Sequence, residues 1–176
     1  RTYTLYLNRE GAWSNGDTLT AEDFVFSLRR SVDPKTASNS ADMLLPILNA
    51  REIISGEKPA SELGVTSLDE YTLQISLVAP TPYFLSLLAH PSTFPVHRES
   101  LEEHGERFSH PGNLISNGAY VLKNWQIRSF IELEKNPHYR AAEQTLIQRV
   151  FYLPTEDRSN EVKQFRVGKL DWTYSV

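Results

Sequence analysis

Polar and apolar positions alternate from the first residues: in "RTYTLYL", Tyr3, Leu5 and Leu7 share one side of an extended backbone and predict a strand. The period then changes. Phe24, Val25, Leu28 and Val32 recur at helical spacing, which predicts an amphipathic helix over 20–32 that stops at Asp33-Pro34. Its start is well marked. Thr20 suits an N-cap, Asp23 stands three residues on where a capping box needs an acceptor, and Leu19 and Phe24 hold the staple positions. Just before it, Asn15-Gly16 predicts a tight turn of type I′, because both residues tolerate positive φ. A Ser/Asn-containing loop leads to a second expected helix over 41–54, and "SGEKPASELGV" is a polar connection. "YTLQISL" alternates with Tyr71, Leu73, Ile75 and Leu77 on one face, as a half-buried strand does. Thr81-Pro82 then opens a short helix that Pro91 ends.

"PSTFPVHRES", with Pro91 and Pro95, reads as a crossing point, so a domain boundary is placed there, giving domains 1–97 and 98–176. An acid-rich helix "RESLEEHGERF" follows. "NGAYVL" and "SFIELE" read as strands flanking a turn around Asn124-Trp125, and "NPHYR" as a further turn. At the end, strand "LIQRVFYLP", helix "SNEVKQFRV" closed by Gly168, and strand "LDWTYS" have the order of a βαβ unit with parallel strands. Ligands of open α/β sheets sit beyond the carboxyl ends of strands, which is where this reading puts Tyr174 and Ser175. A chain that opens and closes inside apparent core strands is expected to be a piece of a longer protein.

Composition narrows the function classes. With 176 residues, 40% hydrophobic, 23% charged and a net charge of −4, the chain has an ordinary soluble globular composition with enough apolar residues for a core. Its 18 basic residues are scattered among 22 acids, so no clustered cationic surface for nucleic acid is expected. There is no cysteine, and no apolar run is long enough to span a membrane.

No catalytic or metal signature is present. The five histidines (His90, His97, His104, His110 and His138) lack metal-ligand spacing, and neither a nucleophile-elbow nor a phosphate-loop pattern occurs. Neither metal, cofactor nor enzymatic activity is expected. Aromatics make up 11% of the chain. Trp13 and Trp125 are assigned to the core, whereas Tyr174, at a strand end, is a candidate for ligand contact; Trp172 is open to either role.

The stretches "WSNGDTLTAEDFVFSLRRSVDPKTAS", "IISGEKPASELGV", "YTLQISLVAPTPYFLSLLAH", "FPVHRES", "PGNLISNGAYVLKNW", "IELEKNPHYR" and "FYLPTEDRSNEVKQFRVGKLDWTYS" run in order over nearly the whole chain. Together they resemble the periplasmic oligopeptide-binding proteins of ABC importers, the extracytoplasmic solute-binding proteins of the peptide/nickel family. The resemblance implies a mixed α/β fold of the class II periplasmic-binding-protein type, of which this chain is a fragment. Residues 1–97 would be the small additional domain and residues 98–176 part of one ligand-binding lobe.

It also implies a function. A protein of this kind captures oligopeptides outside the cytoplasm and passes them to the permease subunits of an ABC transporter. It is expected to act as a monomer, periplasmic, or extracytoplasmic and lipid-anchored in a Gram-positive bacterium. Peptides in the family are held mainly through their backbones, in the manner of strand addition, with waters filling the side-chain pockets. The family's Tyr-Asn pair at the strand end corresponds here to Tyr174-Ser175, and a cleft-facing histidine corresponds to His90 in "LLAHPSTFP". After "DPKTAS" the family offers a tyrosine to the peptide, and this chain has none there. A ligand-sensing domain of the same fold in a transcriptional regulator is the alternative.

Overall fold

The structure is a computed structural model, and it describes residues 1–173. The first part of the chain builds one antiparallel sheet with a helix across it. β1 (Thr2–Tyr6), β2 (Val65–Asp69) and β3 (Thr72–Ser76) lie in the order β1-β3-β2, with Leu5 opposite Leu73 and Val65 opposite Ile75. Central β3 therefore sends Leu73 and Ile75, both at most 2% exposed, into the space under α1 (Ala21–Val32). Ala21, Val25, Leu28 and Val32 face them along one stripe, and Leu44, Ile47, Ile53 and Phe84 close the core from the connecting segments. Every fully buried apolar side chain among the described residues lies between Trp13 and Phe84.

The start of α1 follows the sequence grammar. The Thr20 amide and hydroxyl both donate to the Asp23 carboxylate, at 2.7 and 3.0 Å, and Asp33 ends the helix. The turn before it differs from the expected type I′. Gly16 alone has positive φ (+95°), its amide donates to the Trp13 carbonyl, and the Trp13 amide donates to Asp17. This is a three-residue hairpin loop, a type I turn followed by a glycine in the left-handed region, so Asn15 needs no positive φ.

The helix expected over 41–54 is broken in two. A 3-10 turn, Ala41–Leu44, is followed only later by α2 (Ala50–Ile54). Pro46 cannot continue a helix, since it lacks the donor and clashes with the preceding turn. Asn49, at φ +66°, then reverses the backbone, and its side-chain amide donates to the Glu62 carbonyl at 2.7 Å. The short helix after Thr81-Pro82 shrinks to α3 (Phe84–Leu87), and the acid-rich helix to α4 (Arg98–His104) with a 3-10 turn behind it.

The second sheet, β4 (Tyr120–Gln126), β5 (Phe130–Lys135) and β6 (Arg149–Tyr152), is an antiparallel meander in that order. The expected turn at Asn124-Trp125 is instead strand: Trp125 pairs with Ile131, a bulge at Lys123 absorbs the extra residue, and the reversal comes at 127–129 with Arg128 at φ +61°. Register sorts the faces. Leu122, Trp125, Ile131, Leu133, Val150 and Tyr152 share one side, while Glu132, Glu134 and Arg149 share the other. None of the six apolar residues is fully buried, and Trp125, assigned to the core from sequence, is 49% exposed. Its ring sits on a sheet face that the described residues do not cover fully.

The terminal βαβ unit is not formed among the described residues. β6 pairs antiparallel to β5, α5 (Arg158–Arg166) follows, and Gly168 turns the chain at φ +74°. Residues 170–173 belong to no strand. The end of the expected last strand, with Tyr174 and Ser175, lies outside the described residues.

Candidate functional site

His90 is the sequence-nominated ligand residue that the structure describes. It caps the turn Pro91–Thr93, with ring Nδ1 accepting from the Ser92 amide at 3.2 Å and lying 2.8 Å from the Ser92 hydroxyl. Pro91 fixes φ at the first position of that turn, and the Thr93 hydroxyl reaches the Leu88 and His90 carbonyls. Because Nδ1 accepts a backbone N–H, the ring proton of neutral His90 resides on Nε2. The half-buried ring therefore offers one donor, suited to a carbonyl or carboxylate oxygen.

The Ser92–His90 contact joins a hydroxyl to an imidazole, but in a cap rather than a catalytic pair. The same Nδ1 is occupied by the Ser92 amide, and among the described residues no carboxylate hydrogen-bonds to Nε2 to orient the ring.

Beside His90 lies an open recess of about 610 Å³ that sequence reading missed. Met43 connects the two, its Sδ 4.0 Å from the Ser92 hydroxyl. Asp42, Pro46, Pro80 and Tyr83 contribute to the lining, and Tyr83 is 61% exposed. The available signal was Pro46 and Pro80, both on the lining, since proline interrupts regular structure. The segment after "DPKTAS" thus borders the recess with Asp42 and Met43 and not with a tyrosine.

Tyr174 and Ser175 lie outside the described residues, so His90 is not brought together with them here. Trp172, just before them, is 61% exposed and stands apart from the core. Trp13 has the opposite fate and is 1% exposed.

A second histidine, His97, joins the two halves of the chain. It is 5% exposed, caps α4 by accepting the Ser100 amide at Nδ1 (3.2 Å), and meets the Trp13 ring edge-on. Its Nε2 lies 3.4 Å from Asp17 and 3.5 Å from Glu99. A histidine with two carboxylates invites a metal reading, but the Ser100 amide at Nδ1 puts the ring proton on Nε2, which therefore donates to the acids instead of ligating. Among the described residues no group of His, Asp and Glu is placed to hold a metal ion. Around His97, Ser14 and Ser116 exchange two hydrogen bonds, and the Ser27 hydroxyl accepts the Val96 amide at 2.7 Å while donating to the Asp23 carbonyl. The hairpin and helix of "WSNGDTLTAEDFVFSLRR" are thereby the part of the first sheet unit that grips the second.

No helix of the described residues is long and apolar enough to cross a membrane. A family profile, "Bacterial extracellular solute-binding proteins, family 5 Middle", matches residues 1–176. The chain is 43% identical to the periplasmic oligopeptide-binding protein OppA of Escherichia coli K12 over 98% of its length, which is 32% of that protein. It is 40% identical to the "Probable deoxycholate-binding periplasmic protein YgiS" of the same organism, over 99% of this chain and 33% of that one. Among solved structures, Burkholderia pseudomallei OppA superposes with a TM-score of 0.97 at 35% identity, covering 99% of this chain and 35% of the other. Haemophilus influenzae OppA in complex with RPPGFSPFR gives a TM-score of 0.92 at 40% identity, covering 97% of this chain and 34% of the other. The chain spans about a third of the length of the relatives it matches. It belongs to the bacterial extracellular solute-binding proteins of family 5.

Proposed function

We propose that the protein to which this chain belongs captures oligopeptides outside the cytoplasm, as a monomer and without catalysis, and delivers them to the permease of an ABC importer. Residues 1–97 serve as the small additional domain and residues 98–176 as part of a ligand-binding lobe. The observation that carries this reading is end-to-end likeness to oligopeptide-binding relatives, one of them solved with a nonapeptide bound. A transcriptional-regulator role finds no such support.

In this reading His90 donates Nε2–H to a peptide oxygen, and Tyr174 and Ser175 contact the peptide backbone. The exposed aromatics Tyr83 and Trp172 fit a cleft that recognises main chain and leaves side-chain space wet. The isolated chain, holding part of the cleft, binds peptide far more weakly than the full-length protein.

Isothermal titration of the full-length protein with mixed tri- and tetrapeptides tests the reading. Saturable heat is expected, and His90→Ala weakens binding roughly fivefold, the value of about 1 kcal/mol for one net hydrogen bond. Deoxycholate belongs in the same titration, because one relative carries that ligand in its name. Peptide that gives no heat while deoxycholate does, or peptide recovered cleaved, would overturn the proposal.

A further inference from the structure

Away from His90, on the side where α1 meets α4, lies a recess of about 430 Å³ lined by three arginines. Arg29 and Arg30 come from the last turn of α1, and Arg98 from the first turn of α4. Phe26 and Leu101 supply apolar wall.

Each arginine is held in place. Arg98 lies over the Phe26 ring at 4.4 Å, with its Nη2 3.5 Å from Glu22. Arg30 lies over the Phe108 ring at 5.8 Å. Arg29 reaches the Val65 carbonyl through Nη2 at a long 3.4 Å, and its Nε is buried with no hydrogen-bond partner. That Nε is closed off from solvent, so the part of Arg29 open to the recess is not this atom.

The lining holds two acids, Asp33 and Glu102. Asp33 spends Oδ1 on the Lys35 amide at 2.9 Å, and Glu102 stands on α4 with no ion pair to any of the three. Cations outnumber anions on the lining. The volume admits a small molecule and the walls are partly apolar, which together select an anion with a hydrocarbon body over an inorganic ion.

We propose that this recess is a second ligand site, distinct from the peptide cleft, for a small organic carboxylate. The carboxylate accepts from Arg98 and Arg29, whose fork geometry donates two parallel hydrogen bonds, and the apolar body lies against Phe26 and Leu101. The site does not depend on the peptide-binding reading, since none of its residues touches His90 or its recess.

Titrating 4-phenylbutyrate into the full-length protein, followed by amide NMR shifts, tests the proposal. Saturable shifts are expected within 26–33 and 98–102, with none from the neutral 4-phenylbutanol. Arg98→Gln and Arg29→Lys each weaken binding by about tenfold or more, as loss of a charged hydrogen bond does, while Arg149→Gln on the second sheet leaves it unchanged. Thermal melts confirm that each variant is folded, and Arg98, whose side chain is 39% exposed, is the safer of the two. No saturable shift, equal shifts from the alcohol, equal shifts from sulfate, or undiminished binding in folded Arg98→Gln would each overturn it.

Discussion

The Trp13 indole meets the His97 imidazole edge-on, with centroids 5.1 Å apart and planes at 85°. One ring belongs to the hairpin before α1 and the other caps α4, so the contact clamps the start of the second half of the chain to the first. Edge-to-face pairs add about 0.5–1.5 kcal/mol beyond the area they bury. Trp13→Ala also opens a cavity at a residue 1% exposed, and is expected to lower unfolding stability by about 3–5 kcal/mol in urea titrations. Trp125→Ala, at a half-exposed position, changes it by less than about 1 kcal/mol.

His97 carries a separable capping role. Its Nδ1 accepts the Ser100 amide, a bond that asparagine at an N-cap can replace and alanine cannot. His97→Ala therefore loses both cap and ring contact, whereas His97→Asn loses the ring contact but keeps the cap. A difference of about 1 kcal/mol between the two variants in urea unfolding is expected. Equal losses would show that the ring contact alone matters.

Much of this was legible in the sequence, for local reasons. The capped helix α1 and strands β1 and β3 were readable because period, cap and core face all agree at Thr20, Leu28 and Ile75. Where the reading failed, a non-local condition decided. Pro46 and Asn49 break the second helix because the chain must return under β3, where Leu48 donates to the Ser76 carbonyl. Trp125 looked like core by composition, but among the described residues too little packs against the sheet face it occupies. His90 was nominated by likeness, yet its available proton depends on a hydrogen bond to Ser92 that no spacing rule announces. The arginine recess joins residues far apart in sequence, so only the packing of α4 on α1 reveals it.

Asp69 gives a pH prediction. The Tyr71 amide donates to its carboxylate at 2.9 Å, and with the Thr72 hydroxyl this holds its pKa below the ordinary 3.8. A depressed carboxylate binds protons more readily in the unfolded chain, so its contribution is fully present above the unfolded value. It fades as pH falls from about 3.8 through the lower folded value. Asp69→Asn is therefore expected to lose stability relative to the parent at pH 6, with the gap narrowing in acid melts toward pH 2. Asp69 is fully exposed, so the effect is small, and a gap that widens in acid would contradict the assignment.

Gly64 shows how closely the β2 entrance packs. Its amide donates to the Leu48 carbonyl at 2.9 Å, and its carbonyl accepts the Ser76 amide at 2.8 Å. A Cβ there would fall 2.7 Å from the Leu48 Cβ and 2.9 Å from the Ser76 carbonyl oxygen. Neither neighbour can swing aside, because one is a Cβ and the other is backbone within the same hydrogen-bond set. Gly64→Ala is expected to cost about 1–3 kcal/mol through overpacking, read as an earlier urea midpoint. Gly118 is the matched control: a Cβ there meets nothing within 4 Å, and its φ is not positive. Gly118→Ala should leave stability unchanged or raise it by up to about 1 kcal/mol through the unfolded chain. If both substitutions move the midpoint equally, the close approach at Gly64 is not what limits that position.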